Sequence, residues 1–158
     1  MNETKDSAVG WIRIAVAALA VPQLTVGVWA IADPSGWFED FGVGARWVAA
    51  DGPYNMHLTT DAAAGFLATG VLLLLGAYWG RRREVAMALI AYTAFAVPHF
   101  TYHLLHDAPG LTSSENTQSV LSVAFGAGAP IVLLIALWRT WDRDTAAPSP
   151  RTRVEAVV

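Results

Sequence analysis

The chain has no cysteine among its 158 residues and a single lysine. Without thiols, disulfide frameworks, thiolate metal sites, iron–sulfur clusters and cysteine nucleophiles are excluded. Charge is scarce as well: 15% of residues are Asp, Glu, Lys or Arg, against about 25% in an ordinary soluble domain. A formal net charge of -3 gives no general attraction to nucleic acid, which is not an expected partner. The sequence also lacks a phosphate-binding glycine loop, a Gly-x-Ser-x-Gly elbow, a dinucleotide fingerprint and any internal repeat.

What remains is apolar, with 54% hydrophobic residues, 7 Trp and a mean hydropathy of +0.41. Hydropathy resolves into four stretches, over 10–32, 58–79, 85–106 and 119–141. Each is close to the roughly 20 residues a helix needs to cross a bilayer. Val71 to Leu75 and Ile131 to Leu137 are apolar on every side, as lipid contact demands and a soluble bundle would not tolerate. The expected fold class is therefore all-α, a polytopic membrane four-helix bundle filling residues 1–144, followed by a disordered cytoplasmic tail over 145–158.

Nine of the 10 basic residues fall on one side of these spans: Lys5, Arg13, the run Arg81 to Arg83, and Arg139, Arg143, Arg151 and Arg153. Only Arg46 lies on the other, so both termini are expected in the cytoplasm. Trp11, Trp29, Trp79, Trp138 and Trp141 fall near span ends, where an interfacial aromatic belt belongs. Ala30-Ile31-Ala32 looks like a signal-peptidase site, but the apolar run before it is about 18 residues, longer than the usual signal core of roughly 7 to 15. The first span is expected to stay uncleaved. The outer loop 33–56 carries Trp37, Phe38, Phe41, Trp47 and Val48, too apolar for a solvated linker, and is expected to fold back as one or two short interfacial helices.

All 4 histidines lie in two motifs, Asn55-Met56-His57-Leu58-Thr59-Thr60-Asp61 and Pro98-His99-Phe100-Thr101-Tyr102-His103-Leu104-Leu105-His106. The second span runs inward and the third outward, so topology brings both motifs to the outer end. At about 100° per residue, His99, His103 and His106 share one helix face, as do His57 and Asp61. Continuing the latter face reaches Gly65, Thr69, Leu72 and Gly76, so His57 and Asp61 are expected to point into the bundle. The third span continues inward through Tyr92 and Ala88. Gln23 is expected to hydrogen-bond across helices.

An ionisable residue at membrane depth costs about 2.5–3.5 kcal/mol and calls for a partner or a function. In one reading His57, Asp61, His99 and His103 ligate a transition metal such as Zn, Cu or Fe. Tyr102 and His106 then contact the cofactor, with haem as the alternative group, for redox chemistry. In the other reading the protein is a non-catalytic subunit or packing protein of a larger complex, and the same cluster is purely structural. A third use is proton or quinone chemistry without a metal. The expected partners are the lipid bilayer and a quinone or a partner membrane subunit.

The motifs Asn55-x-His57-Leu58-x-x-Asp61 and Pro98-His99-x-x-x-His103-x-x-His106, with the four-span layout and the long aromatic outer loop, resemble the DoxX-like superfamily of small bacterial membrane proteins. The likeness covers mainly the second and third spans. It implies the four-span fold and a multi-pass place in the bacterial inner (cell) membrane. Members of that superfamily include a subunit of a thiosulfate to quinone oxidoreductase. An acidic residue often stands in the family where this chain has Met56, so one candidate ligand is missing here.

Overall fold

A computed structural model of the chain describes residues 10–42, 44 and 46–146. Among them are five helices and no strand: α1 (Gly10–Ala32), α2 (Pro34–Asp40), α3 (Met56–Trp79), α4 (Arg82–Leu105) and α5 (Ser113–Ala146). The four long ones are each long and apolar enough to cross a membrane. α1 spans the same residues that hydropathy marks, and α3 and α4 begin two or three residues earlier than expected. Beyond Ala146 the expected tail lies outside the described residues.

Local chemistry sets the helix ends. Asp33 caps α2 by accepting the Gly36 N–H at 2.9 Å, with Pro34 in the first helical position, where its missing N–H costs nothing. Asn55 caps α3 by accepting the Leu58 N–H at 3.1 Å. α5 starts at Ser113, six residues before the apolar run, because Thr112 and Glu115 form a capping box. The Glu115 carboxylate accepts the Thr112 N–H at 2.8 Å and the Thr112 hydroxyl accepts the Glu115 N–H at 3.4 Å. Thr-Ser-Ser-Glu is the sequence signature of that motif. α3 ends on Gly80 in the left-handed region (φ 66°), its N–H donating to the Gly76 carbonyl at 2.9 Å. Glycine adopts that conformation without steric cost.

Small residues bring the helices together. A Cβ added to Gly27 of α1 would lie 2.8 Å from the Leu67 Cα of α3, and one on Gly70 would lie 2.9 Å from the Leu24 backbone. Gly76 approaches Ala88 and Gly65 approaches Phe95, which joins α3 to α4. α1 packs most closely on α3, and α4 on α5. The shared core includes Ile12, Val16, Leu73, Val85, Leu89 and Leu137, all fully buried. Ile14, Val28, Tyr78, Ile90, Phe125 and Val132 are exposed on the outside, the apolar perimeter expected of a bundle solvated by lipid.

One polar contact crosses this interior. Gln23 Nε2 donates to the Tyr92 hydroxyl at 2.9 Å, joining α1 to α4, and both residues are buried. Tyr92 and Ala88 face inward as the sequence suggests. Removing one partner strands the other, so Gln23→Leu and Tyr92→Phe should each lower stability by about 1–2 kcal/mol. The double variant should lose clearly less than the sum. Additive losses in a denaturation series of the detergent-solubilised protein would show that the two groups do not act as a pair.

The outer loop folds over the bundle as a cap. Trp37 and Phe38 of α2 are buried with Ala30 of α1 and Ala63 of α3, and Phe41, Val48 and Ala49 pack against them. Aromatic contacts extend from Trp37 to Phe41 (centroids 5.4 Å apart) and from Phe41 to Trp47 (6.2 Å). Gly42, at φ 95°, turns the chain here, and a Cβ on it would meet the Trp47 ring at 2.6 Å. Arg46 pairs with Glu39. The segment between α4 and α5 is tied to the cap by the Gly110 N–H, which donates to the Ala50 carbonyl at 3.1 Å. The loop thus holds one short helix, within the one or two expected, followed by a set of turns.

Candidate functional site

The chemistry-bearing residues lie at the ends of α3 and α4 that adjoin the cap, with His99 and His103 half-buried and His57, Asp61, Tyr102 and His106 exposed. On α4 the i,i+4 spacing aligns rings one above another. His99 lies parallel to Phe95 (centroids 5.9 Å, 13°) and edge-on to Phe66 of α3 (6.0 Å). His103 follows one turn outward, edge to face with His99 at 4.8 Å. Tyr102 stands against His103 at 5.6 Å. The result is a ladder of rings running from the apolar floor made by Phe66 and Phe95 to the outer surface.

His106 leaves the expected register. α4 ends at Leu105, and His106 adopts an extended conformation (φ -135°). Its ring stacks on Tyr102 (4.6 Å, 14°) and its Nδ1 lies 3.0 Å from the Tyr102 carbonyl. It therefore closes the helix end and does not continue the face of His99 and His103.

His57 and Asp61 also depart from expectation. They pair with each other at 3.5 Å, but their side chains are 83% and 63% exposed, on the outside of the bundle. The reason lies in helix geometry. Each step of four residues turns about 40° past a full circle, so two steps from His57 to Gly65 rotate the direction by about 80°. Gly65 meets Phe95 of α4, while His57 and Asp61 point away from the packed seam. The inward-facing residues of α3 are Thr59, Ala63, Gly70, Leu73, Gly76 and Ala77.

The structure accordingly holds His99 with His103, and His57 with Asp61, as two separate pairs on two helices. Among the described residues, no three His, Asp or Glu side chains gather as a group that could hold a metal ion. The donor set thus offers an ion two imidazoles on one turn of α4 rather than the four converging ligands expected. The third and fourth positions would fall to other molecules.

Asp51 is the residue that sequence reasoning missed. The turn over residues 46–51, closed by the Ala50 N–H to the Arg46 carbonyl at 2.9 Å, carries it to the top of α4. There its carboxylate accepts a long hydrogen bond from the Tyr102 hydroxyl at 3.4 Å and lies within electrostatic reach of His103. Nothing in the spacing around Asp51 marks it. Its placement depends on the cap having folded.

No family model matches the chain, and no curated protein or solved structure is significantly similar to it. The chemistry of the site therefore rests on its own residues. It offers imidazole nitrogens beside aromatic faces, one carboxylate at the mouth, and an apolar floor. That combination can order helix ends and hydrogen-bond a neighbouring molecule.

Proposed function

We propose that the protein is an accessory, non-catalytic membrane subunit of the cell membrane, with both termini in the cytoplasm. In this reading the histidines hold the outer ends of the helices and the cap in a fixed arrangement. One observation carries it: among the described residues the candidate ligands do not converge, His57 pairing with Asp61 on α3 while His99 and His103 of α4 sit against each other and against Phe95 and Phe66. Nine of the 10 basic residues on one side support the orientation, through the bias of Lys and Arg toward cytoplasmic segments. The resemblance of the two histidine motifs to the DoxX-like superfamily agrees with a small multi-pass subunit.

A second reading is favoured by the His99 and His103 dyad. Two imidazoles one helical turn apart bind zinc or copper when water or a partner completes the shell, and redox work at a haem or metal would use that pair. Metal analysis and visible absorption of the purified protein separate the two. On the accessory reading, metal content stays well below one ion per chain, no haem band appears, and melting is unchanged by chelator. One ion or haem per chain, lost in His103→Ala together with a chelator-sensitive part of the melting temperature, would overturn it.

A further inference from the structure

α3 carries a face that its own bundle does not use. His57, Asp61, Ala64, Ala68, Val71, Leu75 and Tyr78 follow one another at steps of four, three, four, three, four and three, and every one is exposed. Alternating steps of four and three keep these residues on one side of the helix, a side free to meet lipid or another helix. The stripe falls within about 100° of arc. It borders an open apolar groove of about 520 Å³ lined by Ile31, Ala64, Ala68, Val71 and Leu75.

The upper end of the stripe is polar and self-complementary. His57 supplies a donor, Asp61 an acceptor, and the two stand 3.5 Å apart with most of their surface uncovered. Asp61 lies about 7.5 Å along the helix from its first residue, which in a helix of this length spanning about 30 Å of hydrocarbon falls near the edge of the apolar layer. A carboxylate facing lipid there is costly, and polar groups on membrane helices are met by polar groups of other helices. Below it, Ala64 and Ala68 allow close backbone approach, as small residues spaced by four do in membrane helix pairs.

We propose that α3 is the contact helix of a homodimer, its stripe from His57 to Leu75 seated on the same stripe of a second copy in the same membrane. A two-fold axis along the membrane normal sets the two helices parallel. The imidazole of each copy then donates to the Asp61 carboxylate of the other. A second copy fits this face because donor and acceptor both lie on it, one turn apart, so the surface complements itself without any other charged partner. The proposal names the partner of the accessory subunit, and it rests on the four long helices spanning a bilayer.

The absence of cysteine makes the test clean. With Ala68→Cys in native membranes, mild oxidation should convert most of the protein to a disulfide-linked dimer. Ile90→Cys on α4 and Val132→Cys on α5, both exposed, should stay monomeric. Asp61→Leu in the Ala68→Cys background should cut the cross-linked fraction several-fold. Independently, single-molecule photobleaching of the fluorescently tagged wild type should give two steps per spot. One-step bleaching, or cross-linking through Ile90 or Val132 and not Ala68, would overturn the proposal. Release of the protein by alkaline carbonate without detergent would instead remove the bilayer reading beneath it.

Discussion

Replacing Gly27 by alanine is expected to destabilise the bundle, whereas the same replacement at Gly128 should leave stability unchanged or raise it. The two glycines sit in long apolar helices, so they differ in surroundings and not in backbone type. A Cβ on Gly27 falls 2.6 Å from the Leu67 nitrogen and 2.8 Å from its Cα. Backbone cannot rotate aside as a side chain can, so α1 and α3 must separate, and the close fits above and below the clash loosen with them. Overpacking of this kind costs about 1–3 kcal/mol or more. At Gly128 nothing lies within 4 Å of the added atom, and alanine gains up to about 1 kcal/mol of helix propensity. Thermal unfolding of the purified variants in one detergent checks both signs. Equal behaviour of the two would mean that α1 and α3 are not in intimate contact.

Trp37→Ala should open the outer cap while leaving the four spans in place. Trp37 is 4% exposed and joins α2 to Phe41 and to the upper ends of α1 and α3, and truncating a buried tryptophan costs about 3–5 kcal/mol. Arg46 is the only basic residue between α1 and α3, which makes it the only trypsin site in the cap. Trypsin added to intact spheroplasts should cut the variant there about a hundredfold faster than the wild type, since cleavage follows the population of the opened loop. Trp138→Ala, on the exposed face of α5, should cut at the wild-type rate. An uncut variant, with cleavage appearing only in inverted vesicles, would place the cap in the cytoplasm and overturn the orientation.

The spans were legible because a bilayer imposes one coarse demand, about 20 apolar residues, and Gly10–Ala32 meets it without ambiguity. The start of α5 was not found by hydropathy, because Thr112 and Glu115 are polar and act through hydrogen bonds to backbone. Gln23 and Tyr92 could be placed in the interior, since a lone amide and a phenol in apolar helices have few other places to go. Direction around the helix was harder. Gly65 does face a neighbour, but the drift between 4 and 3.6 residues carries His57 and Asp61 out of the seam. His106 was misplaced because the helix ends one residue earlier. Asp51 reaches Tyr102 only through a loop fold that depends on Trp37, Phe41 and Gly42 together.

Arg13 gives the pairing of α1 and α3 a property that apolar packing alone does not. Its Nε donates to the Ala77 carbonyl at 3.0 Å and its Nη2 to the Tyr78 carbonyl at 3.2 Å, groups that the end of α3 would otherwise leave without partners. Leu24 fits Gly70 and Leu67 fits Gly27 further along the same pair. These three points lie at different heights, and a slide of one helical turn, about 5.4 Å, would break all of them at once. α1 and α3 therefore act as a keyed rail with a single permitted setting.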